Sequence, residues 1–104
     1  MVEAHWGNLE GKELRYNDNT WELTGDVAVL DRGDRLAVEA RQVDDVRHQT
    51  ARLHFGVESP PASLNPGALG DHFDRLEKAG DDQYLVVKKE GRTYRYELRR
   101  MEYK

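Results

Sequence analysis

The stretch QYLVVKKEGRTYRYELRRMEYK, Gln83 to Lys104, decides the fold. Two runs that mix β-branched, aromatic and charged residues flank the turn pair Glu90-Gly91, the pattern of an antiparallel hairpin. Read as a type I turn with a bulge glycine, the hairpin sets Tyr84 and Val86 on one face with Tyr94, Tyr96 and Leu98. Leu85 and Val87 then share the other face with Arg95, Glu97 and Arg99, and a two-residue turn would reverse the relation. Apolar residues on both faces of Tyr84–Val87 imply a central or doubly covered strand.

The same period of two runs upstream. Lys12–Tyr16 and Trp21–Thr24 flank Asn17-Asp18-Asn19-Thr20, and pairing across that cluster sets Tyr16 opposite Trp21 and Leu14 opposite Leu23. Asp26–Leu30 and Arg35–Val43 flank Asp31-Arg32-Gly33-Asp34; a four-residue loop there sets Val29 opposite Leu36 and Val27 opposite Val38. Arg32-Gly33-Asp34 spells the integrin tripeptide, but between two strands it reads as turn chemistry. Gln49–Val57 is a further strand with Ala51, Leu53, Phe55 and Val57 inward and Thr50, Arg52 and His54 outward.

One helix is expected near Pro66–Ala79. Asn65 suits its N-cap, Pro66 its first position and Gly80 its stop. Leu64 and Leu69 form a staple, Leu69, Phe73 and Leu76 a stripe, and Asp71–Arg75 and Asp74–Lys78 are pairs four residues apart. The expected fold is therefore a single domain over residues 1–104, mainly β with an α+β label also fitting. Six or seven antiparallel strands form a meander or half-open barrel, and the helix packs on the sheet or plugs its end. The last strand is expected to be a free edge, because nothing follows to cover it.

At 104 residues the chain is long enough for one modest core. It has no cysteine, which excludes disulfide and thiolate chemistry. No run approaches the length of a membrane span and the first residues do not read as a signal peptide, so a cytoplasmic protein is expected. Mean hydropathy is −0.90, yet two Trp, five Tyr and two Phe provide the aromatic mass of an ordered core. Ten Asp, eleven Arg against five Lys, and no Ile give a composition similar to that of small acidic proteins of halophilic archaea. That resemblance implies an acidic surface that keeps the chain dissolved at high salt.

Residues 64–98 (LNPGALGDHFDRLEKAGDDQYLVVKKEGRTYRYEL) resemble the last helix and wing of winged-helix regulators, which implies a helix and a basic hairpin laid on DNA. The chain departs from that family in having strand patterns where the helix-turn-helix requires helices. Asp71, Asp74 and Glu77 on the would-be recognition helix would also repel phosphates. Both departures argue against sequence-specific DNA binding.

The net charge of −4 is divided unevenly. Residues 83–104 carry +4, which leaves −8 on residues 1–82. Lys88, Arg92, Arg95 and Arg99 interleaved with Tyr94 are the first binding candidates, suited to a protein or polyanion partner. The competing reading has the tyrosines in the core and the cations paired with acidic neighbours. Trp6, Tyr16 and Trp21 are a second candidate set, lining a pocket in a small ligand-binding barrel, with core filling as the competing reading. The four histidines stand at no metal-ligand spacing, and neither a phosphate loop nor a nucleophile–base signature occurs. The expectation is a non-catalytic binding module with no cofactor and no metal, a monomer or a weak dimer at low salt.

Overall fold

A computed structural model describes residues 2–5, 9–30, 33–44, 46–47, 49–58, 60 and 72–103, with the backbone alone for 2–5. Eight strands make one antiparallel sheet: β1 (Val2–His5), β2 (Glu13–Tyr16), β3 (Asn19–Leu30), β4 (Arg35–Gln42), β5 (Thr50–Gly56), β6 (Phe73–Ala79), β7 (Asp82–Lys89) and β8 (Arg92–Tyr103). Their spatial order is β1-β3-β4-β5-β8-β7-β6, with β2 beside β3 next to β1. The sheet curls into a nearly closed barrel with seven positions round the ring, because β1 and β2 lie end to end along the same edge of β3.

Three tight turns set the registers. Asn17 and Asp18 both have positive φ, 53° and 63°, and join Tyr16 directly to Asn19. Glu90 and Gly91, at 53° and 77°, likewise join Lys89 to Arg92. Positive φ at both central residues defines the type I′ turn, whose twist matches that of the flanking strands. Between Ala79 and Asp82, only Gly80 has positive φ, the mark of a type II′ turn. The expected registers change accordingly. Tyr16 faces Asn19, and Leu14 faces Trp21. In the last hairpin the two-residue turn reverses the expected facing, so Leu85 pairs with Tyr96 and Val87 with Tyr94 inside the barrel, while Val86 and Arg95 pair outside. The Val29–Leu36 and Val27–Val38 pairs are found as expected, as are the inward Ala51, Leu53 and Phe55.

From Phe73 onward the expected helix is overturned. Residues 66–71 lie outside the described residues, His72 has helical backbone, and Phe73–Ala79 is strand β6. The reason is a β-bulge. Phe73 pairs with Val87 and Arg75 with Val86, so Asp74 is an extra residue on β6. One inserted residue returns Leu76, which pairs with Leu85, to the same face as Phe73. Inward positions three apart imitate a helical stripe, and Gly80 supplies positive φ to a hairpin instead of a helix stop. The last hairpin is β7–β8, and from Phe73 onward the stretch likened to a recognition helix is a strand.

Bulges also curve the rest of the sheet. Trp21–Thr24 and Asp26–Leu30 are a single strand, not two, shifted in register between Leu23 and Val27, with Gly25 at a φ of 97°. Thr24 Oγ1 donates to Glu39 O there at 3.3 Å. On β8, Phe55 faces Leu98 and His54 faces Arg100, leaving Arg99 as the extra residue. Such devices bend strands and let a short sheet close. β8 lies between β5 and β7, so the expectation of a free last strand fails. Among the described residues, the unpaired edges belong to β1 and β2 on one side and β6 on the other.

Side chains fill the interior. Trp21, Leu23, Val27, Leu36, Val38, Leu53, Phe55, Leu85, Val87 and Tyr96 are essentially inaccessible. Leu9, in the turn before β2, is fully buried against the same cluster, and its turn is tied to β3 by Gly11 N donating to Leu23 O at 2.8 Å. At the other end the Tyr96 hydroxyl donates to Gly33 O at 2.7 Å, which fastens the β3–β4 loop to the core. Burial, with Asp34 and Tyr94 adding to it, pushes that phenol well above the ordinary tyrosine value.

Candidate interaction surfaces

The last hairpin separates the residues that the sequence grouped together. Tyr94 and Tyr96 point into the barrel, Tyr96 fully buried and Tyr94 half-buried against the core. Lys88 and Arg95 project from the outer face, so no tyrosine of β8 lies beside them to stack on a base. The bulge of β6 carries acidic residues to the same outer face. Lys88 Nζ lies 3.9 Å from Asp74 Oδ2, and Arg95 Nε lies 3.3 Å from Glu77 Oε1. Arg75 bridges Asp74 and Glu77, with its Nη2 2.8 Å from Glu77 Oε2. The Arg75 pair first, and Arg95 with it, hold the Glu77 carboxyl below the usual carboxylate range. These pairs are exposed and screened by solvent, so they add little to stability.

Arg92, Arg99 and Arg100 are different. All three are exposed, and none makes an ion pair with an acidic group among the described residues. The Arg99 guanidinium lies over Gly56, where any Cβ would come within 2.8 Å of its Nη1. Glycine at that place lets the bulged arginine lie flat across β5.

Of the aromatic set, Trp6 lies outside the described residues. Trp21 is completely buried, its ring edge-to-face with Tyr103 at 6.0 Å between centroids and its Nε1 donating to Tyr16 O at 3.3 Å. Tyr16 is half-buried and lines a recess of about 370 Å³ with Arg15, Asn17, Asp18, Lys78, Asp81 and Gln83. A second recess, of about 290 Å³, continues from it between Glu13, Leu14 and Arg15 on one side and Leu76, Glu77 and Lys78 on the other. Both lie along the seam where β2 and β6 face each other without pairing. The buried Gln83 side chain crosses the seam, its Nε2 donating to Arg15 O at 3.0 Å. The sequence reading missed this feature, because it arises only when strands sixty residues apart meet. Gln83, a buried amide at an inward strand position, was the one local sign.

His54 points from the outer face of β5 yet is buried, with only 7% of its side chain exposed. Its Nε2 is 3.4 Å from Glu102 Oε1, and its Nδ1 is buried without a hydrogen-bond partner. Burial lowers its pKa below the ordinary value; the Glu102 contact opposes the shift, and Arg100 and Arg35 add to it. The unfolded chain therefore binds the His54 proton more readily than the folded one. The stability this provides is fully present above about pH 6.5 and declines as pH falls below it through the folded value. Thermal melts between pH 7.5 and 5 should show this loss, and His54→Gln should flatten the profile; an unchanged slope in the variant would assign the loss to other groups.

No group of three or more His, Asp or Glu among the described residues is placed to hold a metal ion. Among the described residues, no helix is long and apolar enough to cross a membrane. Neither a family model, nor a curated protein, nor a solved structure matches this chain.

Proposed function

We propose that the chain is a non-catalytic, cytoplasmic binding module that meets an anionic partner, an acidic protein face or a polyanion, through the exposed arginines of β8. The observation that carries this reading is the set of free cations. Lys88 and Arg95 are already engaged by Asp74 and Glu77, whereas Arg92, Arg99 and Arg100 are exposed and without an acidic partner among the described residues. Arg99 and Arg100 stand together toward one end of β8, and Arg92, in the same phase as Tyr94, stands about 26 Å away at the other end. Tyr94 and Tyr96 point inward and add no stacking beside these cations, which favours a partner read by its charge over one read by sequence. The acidic remainder of the surface would repel non-cognate anions and favours a monomer at moderate salt, with weak self-docking at low salt.

Titration of a labelled single-stranded oligonucleotide and of poly-glutamate across a salt series tests the reading. Affinity for one or both should fall linearly on logarithmic axes, with a slope of about −0.7 per neutralised phosphate for the oligonucleotide. Replacing Arg92, Arg99 and Arg100 with alanine should reduce that slope by about 2. Absence of binding to both probes at low salt would remove this function. A small-ligand barrel is the second reading, and Tyr16 in the seam recess supports it, since Trp21 is occupied by packing.

A further inference from the structure

The bulge of β8 places two arginines side by side. Leu98 faces Phe55 and Arg100 faces His54, so Arg99 is the inserted residue and the alternation of faces is interrupted there. Arg99 and Arg100 are consecutive, and both are exposed. Gly56 follows the inward Phe55, so a side chain on Gly56 would point to the outer face. A Cβ there would stand 2.8 Å from Arg99 Nη1, 2.9 Å from its Cζ and 3.0 Å from its Nε. Three atoms of one planar group at nearly equal distances from a point set that point over the face of the plane. The Arg99 guanidinium therefore rests face-down on Gly56, and its N–H donors radiate along the sheet surface. None of them bonds to another group among the described residues.

The neighbours of this doublet limit what it can hold. Arg35 stands opposite Gly56 on β4 and is engaged in an interaction of its own. Burial first, and then Arg100 and Arg35, lower the pKa of His54, which places both guanidinium groups near that ring. Glu97 is opposite Gly56, Glu102 contacts His54 Nε2 at 3.4 Å, and Glu58 is exposed beyond the end of β5. None of these carboxylates forms an ion pair with Arg99 or Arg100. Glu97 and Glu102 bracket the doublet along β8. A row of anions laid along the strand would meet both carboxylates, whereas one compact anion meets the arginines between them. Arg92, about 26 Å away and in the phase of the inward Tyr94, cannot share that anion.

We propose that Arg99 and Arg100, with Gly56 as the floor beneath them, bind a single phosphomonoester group. The proposal rests on the reading of the β8 arginines as anion contacts and narrows it to one compact, doubly charged ligand. A guanidinium offers parallel N–H donors that match two phosphoryl oxygens, which a lysine ammonium does not. A phosphomonoester carries about −1.5 to −2 charge near neutral pH, against a single charge on a carboxylate or a phosphodiester. Two adjacent arginines between two carboxylates therefore select the monoester. Gly56 holds the Arg99 plane in one orientation before the ligand arrives, so less side-chain freedom is lost on binding.

Titration of the whole, isotope-labelled chain with end-capped glycine peptides carrying phosphoserine, glutamate or serine at the centre tests this. The phosphoserine peptide should bind about tenfold more tightly than the glutamate peptide, the serine peptide should not bind, and the shifts should centre on the Nε–H resonances of Arg99 and Arg100. Gly56→Ala should weaken phosphoserine binding about tenfold without changing any charge, because its Cβ displaces the Arg99 plane. The three atoms nearest that Cβ all belong to the end of the Arg99 side chain, which can swing aside, so the variant should fold. Arg99→Lys keeps the charge, lacks the fork and should give a similar loss. Inorganic phosphate binding as tightly as the peptide would make the phosphoryl group the whole ligand, and tighter peptide binding would place that group on a partner protein; both results support the site. Equal binding of the phosphoserine and glutamate peptides, shifts centred elsewhere, or unchanged binding by both variants would each overturn the proposal. Binding of oligonucleotide or poly-glutamate with no preference for phosphoserine would overturn this proposal alone, and no binding of any probe would overturn the β8 reading with it.

Discussion

Trp21→Ala should destabilise the protein by about 3–5 kcal/mol, the range for removing a large aromatic side chain from a packed interior. Trp21 is wholly inaccessible, stacks edge-to-face on Tyr103 of β8 and reaches back to Tyr16 O through its indole nitrogen. It thus joins β2, β3 and β8, and its loss opens a cavity where the ring has least slack to collapse. Urea denaturation followed by circular dichroism gives the difference directly. A loss under about 1 kcal/mol would mean that the ring lines an adaptable pocket, and the small-ligand reading of Trp6, Tyr16 and Trp21 would return with it.

Tyr96→Phe should cost about 1–3 kcal/mol although it removes a single oxygen. The hydroxyl is buried and donates to Gly33 O at 2.7 Å. Phenylalanine keeps the ring's packing but leaves the Gly33 carbonyl without that donor. Gly33 has a φ of 97°, so the loop conformation depends on both the glycine and its fastening. The same denaturation series measures the cost, and an effect near zero would show that solvent satisfies the carbonyl and that the loop does not close this end of the barrel.

Much of the sheet was legible because its local rules agree. Val27 and Val29 alternate with polar neighbours, a turn-rich four-residue stretch follows, and the apolar faces of β3 and β4 match in one register only. Phe55, Leu53 and Ala51 are equally plain. The reading failed where one residue is inserted. Asp74 on β6 converts a spacing of two into three, and with Asn65-Pro66 before it and Gly80 after it every local sign favours a helix. Tertiary pairing with β7 decides otherwise, and no property of residues 66–79 alone records that pairing. The last hairpin was read to the right turn residues but to the wrong turn type. Glu90 is an uncommon residue at positive φ, so type I′ had no side-chain signal beyond Gly91.

The candidate sites were legible to the same degree. The cations of residues 88–100 stand out in any charge count, but which of them are free depends on Asp74 and Glu77, and these reach Lys88 and Arg95 only because β6 is a strand. The seam was not legible at all. It joins Arg15 to Lys78 and Gln83 through the closure of the whole sheet, a long-range consequence of strand order.

Residue-resolved amide hydrogen exchange of the free protein tests most directly the claim that β6 is a strand and that it faces β2 across an open seam. Fast exchange is expected at Glu13, Arg15, Leu76 and Lys78, alternating with slow exchange at Leu14, Tyr16, Glu77 and Ala79, since the second set donates to β3 or β7 and the first to no strand among the described residues. Continuous protection from residue 73 to 79 would indicate a helix, and slow exchange at Arg15 and Lys78 together would indicate a closed barrel; either result would contradict the account.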